Sequence, residues 1–315
     1  MGSPSTYSRV RLERYDAEAL QEIITGADLD HVLLEPGPSS ASVEQVETPQ
    51  LVLNRGKYSF PVRVRGRFPA GRICIGMVDE MGPPTWINGH NVGAGNLQIY
   101  SEGSELFYRA HSRASWATIA VARDHLQAVA LRQLGRNIVL PESGVTNLHP
   151  SPAAYQWLKR AIVITLEDAR SQQDSQALSA EIDLVIAGAC VAAIASSSVA
   201  SREGDDHHSR IITGADQVMR RHIGYGYASE FFCRALGVSE RVLQLHFSRG
   251  LGLSPKAWFR RLALHEARKR LKQMTPYPGA VTEVALKCGF EHFGRFSKDF
   301  RELFGEPPSS FLRRG

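Results

Sequence analysis

The chain has 315 residues, a length that allows about two domains. Its 43% hydrophobic and 22% charged residues exclude a disordered or fibrous chain and predict a protein that buries a core. No apolar run approaches the roughly 20 residues of a membrane span, and the N-terminal MGSPSTYSRVRLERYD has no apolar signal-peptide core. We therefore expect neither membrane insertion nor secretion. The four cysteines lie far apart without a CxxC pair, which predicts free thiols in a reducing compartment.

Charge is divided unevenly along the chain. Residues 212–315 carry 18 Lys and Arg against 9 Asp and Glu, a net charge of +9. Residues 1–211 hold the remaining 19 Lys and Arg and 23 Asp and Glu, a net charge of −4. This asymmetry predicts a polyanionic partner for the basic part. The charge distribution leaves open the alternative that this basic surface contacts only solvent and has no such partner.

The first 150 residues are predicted to form a β-rich domain. Residues 1–30 show a helical pattern, centred on RYDAEALQEIIT, and from about residue 31 to 123 the hydrophobic period changes to two. Alternating runs include SFPVRVRGRF, RICIGMVDE, NLQIYSEG, ELFYRAHS and WATIAVAR. Turn signals such as Pro83-Pro84 and Asn88-Gly89 separate them. Six or so short strands at this spacing predict a β-sandwich or barrel.

Helical periodicity returns at residue 151. SPAAYQWLKRAIVITLEDAR opens with Ser151 as N-cap and Pro152 at the first helical position, and SAEIDLVIAGACVAAIASSS follows as a second, more apolar helix. This pair must bury its faces on its own sheet or on a second subunit, and we favour a dimer contact by residues 151–200. The polar residues 201–211 are interpreted as the interdomain linker. Two adjacent histidines there, His207 and His208, have no partner ligands, so no metal site is expected.

The basic C-terminal region contains an internal repeat. At an offset of 53 residues, Phe296, Phe300, Phe304, Gly305, Pro308 and Phe311 fall on Leu243, Phe247, Leu251, Gly252, Pro255 and Trp258. Each copy has a short helix, a turn glycine (Gly237 or Gly289) and a second helix with inward residues four apart. Ser239 is placed to cap the second helix of the first copy. Two such copies in register inside a basic segment predict a pair of helix-turn-helix units.

A long helix is predicted between the copies. SPKAWFRRLALHEARKRLKQ, residues 254–273, begins with a Ser-Pro start signal and continues without a helix breaker. Twenty helical residues span about 30 Å, and major-groove faces on one side of DNA recur every ~34 Å. One chain can therefore place two recognition helices in adjacent grooves without dimerising.

Residues 212–315 resemble the DNA-binding domain of AraC/XylS-type transcription regulators. The matching segments are GVSERVLQLHF, GLGLSPKAW, RRLALHEARKRL, VTEVALKCGF, GRFSKDFRELFGEPPSSF and the closing RR. The resemblance implies two helix-turn-helix subdomains joined by a long helix, binding to double-stranded promoter DNA, and activation through RNA polymerase. The N-terminal region is similar, by strand pattern and order, to the family's effector-binding and dimerisation module. The implied fold class is α+β, with a cupin-like β-barrel and helices followed by an all-α domain.

Base-reading residues follow from the inward positions of each recognition helix. Gln pairs with adenine and Arg with guanine in the major groove, and the outward positions taken as base-reading are Arg241, Gln244, Leu245, His292, Arg295, Ser297 and Lys298. Two positions depart from the family pattern. The family often has Arg where this chain has Leu245, which can touch a thymine methyl but loses guanidinium readout. Gly294 stands where relatives often carry a polar side chain, so the second half-site is expected to be read less stringently.

Other residues of this region are expected to contact phosphates, which position the protein without specifying sequence. They are Ser239, Arg249, Lys256, Arg260, Arg261, Arg268 and Arg301. The alternative for each basic residue is a solvated helix face.

The N-terminal domain, residues 1–150, is expected to enclose a small-molecule effector of unidentified class. Trp86, Tyr100, Tyr108 and Trp116 are candidate lining residues, with core packing as the alternative role. A cupin-type metal-dependent enzyme is the rival interpretation, but His90, His111 and His125 form no closely spaced ligand motif. A non-specific architectural DNA-binding protein is the second alternative. We expect a cytoplasmic, homodimeric transcription regulator that is not an enzyme and has no metal or cofactor.

Overall fold

The computed structural model describes residues 5–24, 27–78, 85–171, 176–202 and 207–312. The chain divides into two compact units. The first, called here the β-rich unit, comprises Met1–His31, Ser39–Ser59 and Val64–Asp205. The second, called the helical unit, comprises Asp206–Gly315 together with the short segments Val32–Pro38 and Phe60–Arg63. The helical unit thus takes in two pieces of the N-terminal part of the chain, which the sequence patterns do not indicate.

Two β-sheets form most of the β-rich unit. The described strands are β1 (Thr6–Leu12), β2 (Asp28–Leu33), β3 (Ala41–Glu47), β4 (Leu51–Tyr58), β5 (Val62–Arg67), β6 (Ile73–Val78), β7 (Thr85–Ile87), β8 (His90–Val92), β9 (Leu97–Tyr100), β10 (Glu105–Ala110), β11 (Ala114–Val121), β12 (Val145–His149) and β13 (Ser198–Arg202). One sheet has the order β1-β3-β4-β11-β6-β9-β12-β13 and the other β2-β5-β10-β7-β8. Neighbours in the larger sheet pair antiparallel throughout. The predicted α+β class, with a β-rich first part, is confirmed.

The central strands of the larger sheet are buried on both faces, and strand alternation decides which residue faces which side. In β6, Ile73 and Ile75 belong to the hydrophobic core that includes the helices, whereas Cys74 and Gly76 line a cavity on the opposite face. Because both faces are covered, β6 reads ICIGMV, a continuous apolar run without polar alternation. Residues of the smaller sheet, such as Tyr108 in β10, also line the cavity, so the cavity lies between the two sheets.

Ten α-helices are described. They are α1 (Ala17–Ile23), α2 (Arg123–Leu134), α3 (Pro152–Ser171), α4 (Gln176–Ala195), α5 (His207–Arg221), α6 (Ser229–Leu236), α7 (Glu240–Leu251), α8 (Pro255–Gln273), α9 (Ala280–Lys287) and α10 (Phe293–Phe304). α3 starts where the sequence predicts, with Ser151 Oγ accepting the Ala154 N–H at 3.3 Å. Short 3-10 helices cover Ile223–Tyr225 and Pro308–Phe311.

α3 and α4 bury apolar faces on the larger sheet of their own chain, and the dimer contact expected of residues 151–200 stays a prediction. Leu158 and Ile162 of α3 and Ile186 and Cys190 of α4 belong to the core formed with that sheet. Within α4, Leu178–Ala195 is long and apolar enough for a membrane span by length and composition, but 67% of it is buried inside the protein. Its apolarity is that of a core helix.

Several N-terminal elements differ from the predicted helical pattern. The helix in RYDAEALQEIIT is present as α1, capped by Asp16, but β1 precedes it and β2 follows it. β1 is an edge strand paired with β3, and its half-buried Val10 and Leu12 alternate with the exposed Arg9 and Arg11, a pattern that the helical interpretation of residues 1–30 missed. The segment interpreted as linker, 201–211, contains the end of β13 and the start of α5. Residues 203–206 between them, and the His207 and His208 side chains, lie outside the described residues.

The cysteines agree with the prediction of free thiols. All four are unpaired, with Cys74, Cys190 and Cys288 buried and Cys233 half-buried. Burial raises the pKa of the Cys190 and Cys288 thiols to about 12. These thiols therefore serve as small apolar groups in the core.

Candidate nucleic-acid interface

The first helix-turn-helix consists of α6 and α7. α6 ends at Gly237, whose φ of +64° lies in the left-handed region that favours glycine. The Val238 N–H then donates to the Cys233 carbonyl at 3.1 Å, which closes the turn. Ser239 Oγ accepts the Val242 N–H at 3.3 Å and starts α7. The turn glycine and the serine cap predicted from the sequence are confirmed.

α7 separates an inward apolar face from an outward polar one. Leu243 and Phe247, four residues apart, are fully buried. Arg241 and Gln244 are exposed on the opposite face, and Leu245 is 45% exposed between them. The predicted base-reading residues of the first unit are therefore accessible on one helix surface.

The second helix-turn-helix, α9 and α10, has the same plan with an additional contact at its turn. Gly289 has a φ of +76°, and the Phe290 N–H donates to the Ala285 carbonyl at 2.9 Å. A Cβ atom at Gly289 would lie 2.6 Å from the Ile223 carbonyl oxygen, because the 3-10 helix Ile223–Tyr225 packs directly on this turn. Both turns therefore require glycine for its backbone conformation. The second turn also has no space for a side chain.

α10 is held by an aromatic cluster. Phe296 and Phe300 are fully buried, and their ring centroids lie 5.6 Å apart. Phe290, Phe304 and Phe311 pack around this pair with centroid distances between 4.7 and 5.4 Å. This cluster accounts for the aromatic spacing of the C-terminal sequence and fixes which side of α10 faces outward.

The outward side of α10 carries most of the predicted contact residues of the second unit. Arg295 and Lys298 are exposed, as is His292 at the N-terminal end of the helix. Ser297 is only half-buried. A neighbouring Phe293 remains 40% exposed on this surface. The structure thus brings together polar and basic groups at the start of α10 that can reach a nucleic acid.

α8 connects the two units as one unbroken helix. Ser254 Oγ accepts the Ala257 N–H at 3.2 Å, and Pro255 occupies the first turn, as predicted. Its 19 residues give a length of about 28 Å. Trp258 and Leu262 are buried on the inward side, which anchors the helix in the core of the helical unit.

A basic groove of about 380 Å³ lies between α8 and the turn that leads into α10. Lys256, Arg260, His292 and Arg295 contribute to its walls, with Glu291 as a carboxylate in the same lining. Burial, and then the charge of Arg295, lower the pKa of Arg260, although a guanidinium stays protonated at neutral pH. This concentration of positive charge favours an anion such as a phosphate group.

The predicted phosphate contacts divide into exposed and buried side chains. Arg249, Lys256 and Arg301 are exposed, and the exposed Ser239 accepts the capping bond while its O–H proton can still donate. Arg268 is a correction, since it is 2% exposed and its guanidinium lies 5.8 Å and 5.4 Å from the ring centroids of Phe304 and Phe311. A cation held over aromatic rings in the core stabilises packing and cannot reach DNA.

Two further arginines of this set are only partly available. Arg260 forms an ion pair with Asp299, which links α8 to α10. Burial lowers the pKa of Arg261, with the charges of Glu302 and Glu35 opposing the shift. Their position along α8 agrees with the prediction, but each has protein partners that a phosphate would have to replace.

The cavity of the β-rich unit has a volume of about 70 Å³. Tyr100, Tyr108 and Trp116 line it, as the effector prediction requires. Trp86 is a correction: it is absent from the lining, because alternation along β7 turns the neighbouring Ile87 toward the cavity instead. Burial raises the pKa of the Tyr108 hydroxyl, so it stays protonated and available as a donor.

One residue of this cavity was not singled out from the sequence. Gln98 in β9 is fully buried and lines the cavity. A polar amide inside the otherwise apolar strand LQIY is the signal that marks it, since buried side-chain amides require partners.

The structure describes no metal centre. Within the described ranges, no group of three or more His, Cys, Asp and Glu side chains is arranged to hold a metal ion. His90, His111 and His125 are each partly exposed at separate positions of the β-rich unit.

Comparison with known proteins places this architecture in a family. A helix-turn-helix domain model matches residues 232–314, which contain α7 through α10 and both turns described above. The probable thc operon regulatory protein of Rhodococcus erythropolis is 40% identical over 80 residues, 25% of this chain. Since those residues are 24% of that protein, the chain spans about a quarter of this relative's length.

A second relative is matched over most of its own length. XylDLEGF operon transcriptional activator 2 of Pseudomonas putida is 34% identical over 110 residues, 35% of this chain and 68% of that protein. The crystal structure of the AraC-like transcriptional activator CuxR has 16% identity and a TM-score of 0.43, covering 89% of this chain and all of that one.

The basic helical unit, with its paired turns and exposed second helices, is a double helix-turn-helix module of the kind that transcription regulators carry. The chain belongs to the AraC/XylS family of transcription regulators.

Proposed function

We propose that this protein is a sequence-specific DNA-binding transcription regulator that contacts two successive major grooves of one duplex with α7 and α10. One observation carries the proposal. Both recognition helices bury aromatic or leucine residues in the same register and expose polar and basic residues on the other face, and α8 spaces them. The length of α8, about 28 Å, is near the ~34 Å repeat of the groove.

The exposed residues fit base recognition by hydrogen bonding. Gln244 can pair with adenine and Arg241 or Arg295 with guanine, while Leu245 offers an apolar contact to a thymine methyl. Ser297, Lys298 and His292 extend the polar surface of the second unit. The exposed cations nearby, Arg249, Lys256 and Arg301, supply sequence-independent contacts to phosphates.

We assign regulation by a small molecule to the β-rich unit, whose cavity is lined mainly by apolar side chains. Ligand binding would shift the population of conformations that are competent to bind DNA. The names of the Pseudomonas relatives support activation of an operon, which implies contact with RNA polymerase. A cytoplasmic homodimer that uses residues 151–200 is part of this proposal, with Trp157, Ile164 and Leu184 as exposed apolar residues for the contact.

The proposal predicts separable effects of base-reading and phosphate-contacting residues. Duplexes selected from a random pool by the full chain give the target sequence, and binding of that sequence is then measured for variants. We expect Arg295→Ala to cost about 1–3 kcal/mol and to relax specificity at one base step of the second half-site. Lys256→Ala should weaken all duplexes alike and reduce the salt slope by about one.

Arg132→Ala, an exposed arginine on α2 of the β-rich unit, is the matched control and should bind DNA like the wild type. Equal binding of selected and scrambled duplexes by the wild type would contradict the proposal and favour a non-specific architectural protein.

A further inference from the structure

We infer that the cavity of the β-rich unit recognises a small uncharged molecule with an amide-like pair of one hydrogen-bond donor and one acceptor, and that Gln98 reads this pair. The inference deepens, and rests on, the proposed ligand-responsive regulation. It concerns the chemical class of the ligand and the residue that selects it.

Gln98 is buried without the partners that its amide requires. Its side chain is 0% exposed, and neither Nε2 nor Oε1 has a hydrogen-bond partner among the described residues. Leaving a buried donor and acceptor unpaired is costly, so an unpaired amide in a native core calls for an explanation. A ligand carrying the complementary acceptor and donor would satisfy both atoms at once.

The backbone around Gln98 leaves room for such a ligand. Gly76 of β6 pairs in register with Gln98, and the absence of a side chain at Gly76 opens the space beside the amide. A Cβ atom at Gly76 would lie 3.7 Å from Gln98 Oε1 and 3.5 Å from the Tyr100 ring, which is ordinary contact distance. A methyl group at this position would therefore occupy ligand space without disturbing the strands.

The other polar groups of the cavity are consistent with a neutral ligand. The Gln45 amide donates to Asn54 Oδ1 at 2.9 Å, so Asn54 is already engaged. The Tyr108 hydroxyl has no hydrogen-bond partner among the described residues and can add one contact. An amide ligand is matched to Gln98 in either orientation of the side chain, because both groups offer a donor beside an acceptor.

The described lining supplies no charge to pair with an ionic ligand. The described lining residues include no Lys, Arg, Asp or Glu. Residues 25–26 and 79–84, which follow Ile24 and Val78 in the chain, contain no Lys, Arg or His, although Asp79 and Glu80 are among them. A carboxylate ligand would be buried without a cation, at a large desolvation cost. An ammonium ligand would find no carboxylate among the described lining residues.

The volume limits the ligand to a few non-hydrogen atoms unless side chains move. The cavity of about 70 Å³ is roughly half of the 150 Å³ apolar cavity that accommodates benzene. A short-chain carboxamide fits this limit, and propionamide is a suitable probe, with propionate and propylammonium as charged probes of similar size.

The test is thermal unfolding of the full chain with each of these three probes. We expect propionamide to raise the melting temperature in a concentration-dependent manner and the two charged probes to have no such effect, because only a ligand bound to the native state stabilises it. Gln98→Met keeps the volume and removes both polar atoms. It should abolish the propionamide shift while melting at the same temperature as the wild type or higher, since no protein hydrogen bond is lost.

Gly76→Ala is the second variant and should reduce the propionamide shift by filling the space beside Gln98, with an unchanged melting temperature in buffer. A flat response of the wild type to propionamide up to its solubility limit would overturn the inference. So would an equal shift with propionate, an undiminished shift in Gln98→Met, or a large loss of stability in that variant. Binding of the selected duplex is measured on the same samples. Loss of sequence-specific DNA binding by the wild type contradicts the proposed function, whereas loss of the propionamide effect alone contradicts only this inference.

Discussion

Gly289 and Gly237 occupy equivalent turns of the two helix-turn-helix units but differ in their surroundings. Both have positive φ, +76° and +64°, where a side chain strains the backbone. A Cβ atom at Gly237 would have no heavy atom within 4 Å, whereas one at Gly289 would meet the Ile223 carbonyl oxygen at 2.6 Å and the Gly226 nitrogen at 3.1 Å. The second turn is therefore fixed by packing in addition to its conformation.

Alanine at these two positions should separate the two effects. We expect Gly237→Ala to lower the free energy of unfolding by about 1 kcal/mol through backbone strain. For Gly289→Ala we expect a loss of about 3 kcal/mol or more, because overpacking against rigid backbone adds to the strain. Urea unfolding followed by circular dichroism measures both, and equal losses would show that Ile223 moves freely away from the turn.

At the scale of the element, serine caps determine where the helices of the DNA-binding module begin. Ser239 and Ser254 each accept a backbone N–H three residues later, at 3.3 and 3.2 Å. Gly237 and Gly252 end the preceding helices with left-handed residues. These signals are local in sequence, so the bounds of α6, α7 and α8 followed from the sequence.

A cap substitution should destabilise the module. Ser239→Ala removes the acceptor for the Val242 N–H and is expected to cost about 1 kcal/mol of unfolding free energy. Ser248→Ala, on the exposed face of the same helix, is the control and should be neutral or stabilising by up to about 0.5 kcal/mol, because alanine favours helix interiors. Chemical denaturation measures the free energy of unfolding of the two variants. If Ser239→Ala were as stable as Ser248→Ala, Ser239 would have no capping role.

Elements defined by partners distant in sequence were harder to predict. β1 and β13 are the two edge strands of the larger sheet. Their pairing with β3 and β12 is a property of the folded sheet. Arg268 illustrates the same limit for a site residue. Its type and spacing suggested a phosphate contact, yet the packing of Phe304 and Phe311 places it in the core.

At the scale of the whole molecule, a buried ion pair ties an N-terminal segment into the helical unit. Arg63, at the start of β5, and Asp216 of α5 are separated by 153 residues in the chain, and both side chains are 0% exposed. Arg63 Nη2 donates to Asp216 Oδ1 at 2.5 Å. The indole N–H of Trp258 also donates to Asp216 at 3.2 Å, and the Arg63 guanidinium lies 4.8 Å from the Trp258 ring centroid. The second carboxylate oxygen of Asp216 accepts the Arg220 Nε–H at 2.9 Å, so Asp216 joins Arg63, Arg220 and Trp258 in one buried network.

Arg63→Met should lower the free energy of unfolding by about 1.5–3 kcal/mol, because it removes a charged hydrogen bond while Arg220 and the Trp258 indole still contact Asp216. Arg67→Ala is a control on the same strand, because the Arg67–Glu105 pair is solvent-exposed and contributes at most about 1 kcal/mol. The double variant Arg63→Met with Asp216→Leu should lose less than the sum of the single variants, since no lone charge remains buried. Denaturant titration of all four variants measures this coupling, and strictly additive losses would argue against it.

The sequence by itself determined the helical module, the serine caps, the turn glycines and the basic character of the C-terminal region, because helical period, capping and charge act between residues close in the chain. The tertiary structure alone decided that Arg63 belongs with Asp216, that Arg268 is buried, and that Gln98 faces a cavity without protein partners. Each of these depends on which distant segments meet, and burial can turn the same arginine or glutamine from a surface group into part of a core or a binding site.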